Sequence, residues 1–309
     1  MGSLIEQAAR RMEQLLAAGV DLQDLVPHAA VEASAKVEEI SPAARESSSS
    51  GYVELDLPSL ALQGFLVPGA ARSQLADQYR VIKRPLIDNA MGKGVAASLR
   101  HSNLIMVTSA LPGEGKSFTS LNLALSIAAE LDNRVMLVDA DVARPSVLRM
   151  LGLPRGPGLL DVLEDRVALS DVLLRTNIDK LTLLPSGTPH PRATELLASD
   201  AMRSLLDEMA RRYPDRIIIF DSPPLLLTTE SRVLASHMGQ VVVVVHAEKT
   251  RQSVVQQALA AIEFCPLKLM LLNQASANSA GSYGEGYGYG YGYGYGEGQS
   301  LGGTSAVVS

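Results

Sequence analysis

Between the apolar run Leu104 to Thr108 and a helix-forming stretch that opens near Ser117, the chain reads Ala110-Leu111-Pro112-Gly113-Glu114-Gly115-Lys116-Ser117. A strand that turns through glycines into Lys-Ser at a helix start is the setting of a phosphate-binding loop, and few folds accommodate it. Gly113 and Gly115 let backbone N–H groups converge on phosphate oxygens with no Cβ in the way. The helix N-terminus adds unpaired N–H groups and a favourable dipole. Lys116 suits β- and γ-phosphate oxygens, and the Ser117 hydroxyl suits Mg²⁺. Pro112, Glu114 and Phe118 complete the candidate nucleotide loop. The strict pattern asks for glycine at its first position, where this chain has Ala110. A chance glycine-rich turn is the plain alternative, but here strand, glycines, Lys-Ser and helix stand in register.

Further short apolar runs follow: Val135 to Val138, Leu181 to Leu184, Ile217 to Phe220, Val241 to Val245 and Leu269 to Leu272. They are continuous rather than alternating in polarity, as strands buried on both faces of a parallel sheet are. Helical stretches such as Ser117 to Leu131 and Ala201 to Arg212 separate them. The pattern predicts an α/β fold, a doubly wound and mostly parallel sheet. Two of the runs end in carboxylates: Asp139-Ala140-Asp141, followed by Arg144-Pro145, and Asp221-Ser222-Pro223-Pro224. Carboxylates at C-terminal strand ends lie where open α/β sheets gather ligands. Oxygen ligands also suit Mg²⁺. A lone Asp there is ordinarily a turn or cap residue; beside a phosphate loop, acidic ends on two further strands point to a site.

Before the core, residues 3 to 18 carry apolar positions at helical spacing, and about 28 to 58 reads as an Ala/Glu/Ser/Pro linker. A helix is predicted from Ser73 to Ala90, with Pro85 kinking it or ending its first part. The domain division expected is therefore an N-terminal helix and linker over 1–70, the P-loop domain over 71–275, and a tail over 276–309. That tail, SANSAGSYGEGYGYGYGYGYGEGQSLGGTSAVVS, is rich in Gly and Ser and is predicted disordered.

The formal net charge of -6 argues against a nucleic-acid partner. A single cysteine, Cys265, excludes a disulfide framework. No stretch reaches the roughly 18 to 20 apolar residues that span a bilayer. The expectation is a cytoplasmic protein, peripheral at the inner membrane through a partner. The histidines show no metal-ligand spacing.

Together the three motifs and the tail resemble the bacterial protein-tyrosine kinases, P-loop autokinases of exopolysaccharide biosynthesis. The variant resembled is the exosortase-associated type without a fused membrane domain. The resemblance covers residues 70 to 296. It implies a deviant-Walker P-loop fold shared with the partition ATPases, whose loop carries an extra Lys where this chain has Leu111. It implies ATP and Mg²⁺, with Ser117, Asp139 and Asp221 toward the metal and Lys116, Asp139, Asp141 and Asp221 catalytic. Asp141 is the candidate base, although the two roles within the Asp139/Asp141 pair are interchangeable on sequence. Asn273, ending the last run, is either a turn residue or a partner for the adenine edge. The loop Leu184 to Pro189 either borders the site or closes a βα unit.

The resemblance further implies a membrane chain-length-determinant activator (a polysaccharide co-polymerase), an opposing tyrosine phosphatase, and a homo-oligomer that autophosphorylates in trans. The family's ring contact uses Glu-x-x-Arg-x-x-Arg; here the matching positions are Asp77, Arg80 and Lys83. Lys lacks Arg's bidentate fork, with Arg84 adjacent as a substitute.

Tyr283, Tyr287, Tyr289, Tyr291, Tyr293 and Tyr295 are the candidate phosphoacceptors, six of nine tyrosines. Their alternation with Gly also fits an edge strand or a self-associating low-complexity segment. Glycine lets the backbone lie flat in a shallow site, and any one ring can be presented. Two other functions fit the motifs: an ATPase switch that transfers no phosphate to protein, and a scaffold that only binds nucleotide.

Overall fold

The computed structural model describes residues 51–69, 72–93 and 99–275. The helix expected over 3 to 18 and all six tail tyrosines lie outside these residues. In chain order the elements are β1 (Gly51–Val53), α1 (Leu57–Leu62), α2 (Gln74–Ala90), β2 (Leu104–Ser109), α3 (Lys116–Ala128) and β3 (Arg134–Asp139). Then come three short helices, α4 (Val147–Met150), α5 (Leu159–Leu163) and α6 (Leu169–Val172), and the strands β4 (Leu174–Thr176) and β5 (Leu181–Leu184). The chain finishes with α7 (Ala193–Leu197), α8 (Asp200–Arg212), β6 (Arg216–Asp221), α9 (Glu230–Ala235), β7 (Gln240–His246), α10 (Gln252–Ala260) and β8 (Lys268–Asn273).

One eight-stranded sheet runs in the order β1-β4-β5-β3-β6-β2-β7-β8. Every neighbouring pair is parallel except β4 with β5. All six runs read as strands from their apolar continuity are strands. Successive residues of β2 feed opposite faces: Leu104 and Met106 pack with α8, α9 and α10 residues, and Ile105 and Val107 with α2 and α3 residues. This is the period-two alternation of a strand covered on both sides. β8 departs from that expectation. It is an edge strand, with Met270 and Leu272 about three-fifths exposed and Leu269 and Leu271 packed inward.

Residues 51–58, expected as linker, belong to the fold. β1 adds to the sheet edge beside β4, and the Leu55 N–H and C=O are both bonded by the Asn177 side chain at 3.0 Å. Asp56 caps α1 through the Ser59 N–H. Leu60 and Phe65 are buried against α3, whose residues Thr119 to Ala128 are all buried. A helix buried around its whole circumference is covered on its outer side as well, and this segment supplies cover. Phe65 lies 5.1 Å from Phe118, ring to ring, and the Leu66 N–H donates to Asn122 at 2.8 Å. The folded domain therefore includes residues 51–69, ahead of the start expected at 71.

α2 matches the predicted helix, with Ser73 as its N-cap. Pro85 does not interrupt it. The proline sits on the exposed side, where water can satisfy the carbonyl one turn back that loses its partner. Lys83 is buried: its ammonium donates to the Ser126 carbonyl at 2.6 Å and pairs with Glu130 at 2.6 Å. It braces α2 against the C-terminal end of α3. Arg80 and Arg84 are exposed, so on this helix the surface cations are those two and not Lys83.

Candidate active site

β2 delivers the phosphate loop and α3 carries it away. The helix has Gly115 as its N-cap at φ 91°, a left-handed conformation that glycine adopts freely. A Cβ on Gly115 would also stand 2.1 Å from the Asn273 amide nitrogen. The first turn of α3 points its unpaired N–H groups into the loop. Because β6 lies beside β2 in the sheet and β3 beside β6, the carboxylates ending those strands arrive next to the loop. Asp139 and Asp221 are direct register partners.

The charged groups form a compact set. Lys116 donates to Asp141 at 2.6 Å and lies 3.3 Å from the Ser117 hydroxyl. Asp141 also accepts the Arg144 N–H at 3.2 Å. One oxygen of Asp139 accepts the Ser146 and Val147 N–H groups, each at 3.0 Å. Asp221 accepts from the Ser120 hydroxyl at 3.1 Å and lies beside Ser117. The second oxygens, Asp139 Oδ1 and Asp221 Oδ2, are buried without a protein partner.

Electrostatics follows from that crowding. Burial, with Asp221 beside it, pushes the Asp139 carboxyl up to about 7. Burial likewise raises Asp221, against the pull of Lys116. For Lys116 burial favours the neutral amine, but Asp221, Asp141 and Asp139 outweigh it and the group is raised. Three carboxyl groups share one ammonium, and the raised Asp139 and Asp221 mark a site short of positive charge. Two orphaned oxygens within it are what a divalent cation would satisfy. Among the described residues no three His, Cys, Asp or Glu side chains could hold a metal alone. Mg²⁺ characteristically binds one or two carboxylates together with substrate phosphates and waters.

The remaining sequence candidates divide. Phe118 turns its ring to Phe65, leaving only its backbone N–H for the loop. Pro112 and Gly113 are exposed at the loop's tip. Asn273 donates its amide to the Glu114 carbonyl at 2.9 Å, which puts the end of β8 against the loop. The Leu184 to Pro189 loop is stitched to α5: the Pro185 and Ser186 carbonyls accept the Leu159 and Leu160 N–H groups at 2.8 and 3.0 Å. Asp161 also bonds the Thr188 N–H at 2.9 Å. Ser120 was not legible as a site residue, although it sits one helical turn beyond Ser117. Thr250, whose hydroxyl reaches Glu114, carries no signal in the sequence.

A family model described as an AAA domain matches residues 102–271. The tyrosine-protein kinase YwqD of Bacillus subtilis (strain 168) is 31% identical over 215 residues, 69% of this chain and 86% of that protein. The tyrosine-protein kinase ptk of Acinetobacter johnsonii is 34% identical over 188 residues, 60% of this chain and 25% of that longer protein. The crystal structure of the chimerical protein CapA2B2 superposes with a TM-score of 0.58 at 28% identity, covering 73% of this chain and 93% of the other. On an eight-stranded P-loop scaffold with these motif residues gathered at the C-terminal ends of its central strands, the chain belongs to the bacterial tyrosine-protein kinases.

Proposed function

We propose that this chain is an ATP-dependent autokinase that phosphorylates the C-terminal tyrosines of neighbouring subunits and regulates exopolysaccharide chain length and export. The observation that carries the reading is the 2.6 Å contact between Lys116 and Asp141 beside the orphaned oxygens of Asp139 and Asp221. A lysine for phosphate, a carboxylate within reach of the same phosphate, and two oxygens suited to a cation form one constellation.

Loop N–H groups and Lys116 bind the β- and γ-phosphates. Ser117, Asp139 and Asp221 would hold Mg²⁺ directly or through water; when bound, the ion neutralises phosphate charge during transfer. A phenol has a pKa of about 10 and arrives protonated. As its oxygen bonds the γ-phosphorus, the bond to the ADP oxygen breaks and the phenolic proton passes to Asp141. Moving Lys116 onto phosphate leaves the Asp141 carboxylate free to accept that proton. Asp141 rather than Asp139 is the base in this reading because it accepts one backbone N–H where Asp139 accepts two.

Membership of the family supports a membrane chain-length-determinant protein as activator, and a tyrosine phosphatase as the opposing enzyme. Contact with the bilayer through that partner is part of this reading; no helix among the described residues is long and apolar enough to cross a membrane. The test is incubation of the full chain with γ-labelled ATP, Mg²⁺ and the activator's cytoplasmic segment. Alkali-stable label on the tail, absent in Lys116→Met, is expected. Phosphate release with no label on protein would instead make the chain an ATPase switch.

A further inference from the structure

Glu114 stands in the middle of the phosphate loop, yet the transfer just described uses only its backbone. Its side chain is 3% exposed, and both carboxylate oxygens are occupied. One accepts the Leu111 N–H at 2.6 Å, folding the loop back on itself. The other accepts the Thr250 hydroxyl and lies 3.4 Å from the His246 N–H. The Glu114 carbonyl accepts the Asn273 amide at 2.9 Å. One residue thus joins the loop to the end of β7, to the turn that follows it, and to the end of β8.

The turn is itself held firmly. Glu248 adopts φ 61°, a conformation disfavoured for a residue with a side chain. The Ala247 N–H donates to the Asn273 carbonyl at 2.8 Å and the Thr250 N–H to the His246 carbonyl at 3.1 Å. Burying a carboxylate is costly unless its lone pairs are used. Here each oxygen takes a donor from a different segment, which a hydrophobic residue of the same size could not do.

We propose that Glu114 is a positioning residue that holds the phosphate loop in its anion-cradling shape by anchoring it to the β7 and β8 ends through Thr250, His246 and Asn273. The loop is then preorganised for nucleotide, and the affinity gained is entropy that binding no longer has to supply. This inference rests on the nucleotide-site reading above.

Thr250→Val removes the hydroxyl donor and keeps the side-chain volume; Thr250→Ser restores the donor. ATP with Mg²⁺ is titrated into the full chain by a fluorescence change, alongside wild type and Lys116→Met. Thr250→Val is expected to weaken ATP about tenfold (about 1.4 kcal/mol), with the melting temperature without nucleotide lowered by less than about 3 °C. Thr250→Ser returns affinity to within about twofold of wild type. Glu114→Gln, which keeps one acceptor, is expected to fall between wild type and Thr250→Val. If Thr250→Val binds ATP as wild type does while Lys116→Met does not, the positioning role is wrong and the nucleotide site stands. A tenfold loss that Thr250→Ser fails to restore also overturns it. If wild type itself binds no ATP, both readings fall together.

Discussion

Lys116 and Asp141 form an ion pair at 2.6 Å with both side chains nearly buried. A phosphate approaching the loop must win the ammonium from that carboxylate. Asp141→Asn should therefore leave ATP affinity unchanged or tighten it, by up to about tenfold, since the competing charge is gone. Phosphoryl transfer should fall by at least about a hundredfold if Asp141 takes the phenolic proton. ATP titration and label incorporation measured on one preparation check both halves. Weakened binding together with retained transfer would exclude Asp141 as the base.

The Asp139 carboxyl carries a folded value of about 7 against an ordinary 3.8. The folded state thus holds that proton more tightly than the unfolded chain, and the associated stability is complete below about pH 4 and lost as pH rises through about 7. In EDTA and without nucleotide, Asp139→Asn should raise the melting temperature at pH 8 by several degrees. Near pH 4.5 the two proteins should melt closer together. An equal difference at both pH values would contradict the shift.

Lys83 is committed to Ser126 and Glu130. Lys83→Met should cost about 2 kcal/mol of stability, because the Ser126 carbonyl loses a charged donor inside the protein. Arg80→Ala with Arg84→Ala should leave the melting temperature within about 1 °C, since both side chains are exposed. Any change in subunit association should follow the arginines, and sedimentation of both variants decides it.

Phe65 supplies one of the rings covering α3. Phe65→Ala should destabilise the domain by about 3 kcal/mol, the cost of emptying a buried aromatic site. Urea denaturation gives the value directly. A loss under about 1 kcal/mol would mean that residues 51–69 are a dispensable flap.

The sheet was readable because six strands announce themselves as unbroken apolar runs; burial on both faces accounts for five of them, and β8 is the half-exposed exception at the sheet edge. β1 and β4, three residues each, are too short to show a period. The cover over α3 reads as linker because Pro58, Gly64 and Pro68 break the apolar stretch holding Leu55, Leu60 and Phe65 into pieces with no sustained period; their burial is dictated by the helix they meet. The loop and the strand-end carboxylates were legible because phosphate chemistry demands a fixed local spacing. The Glu114–Thr250 bond was not, because its partners stand 136 positions apart. Lys83 reads as a surface cation for the same reason: Ser126 and Glu130 come to it only through folding.

Gly115 answers to two demands at once, the left-handed turn at φ 91° and the Asn273 amide that a methyl group would strike at 2.1 Å. An alanine there strains the loop and also dislodges the end of β8 from it. A Gly115→Ala protein would thus be an ambiguous inactive control in any cellular complementation assay, since loss of chemistry and loss of architecture arrive together. Lys116→Met, which leaves both glycines and the Asn273 contact in place, is the allele to use when silence must mean a lost nucleotide site rather than a lost loop architecture.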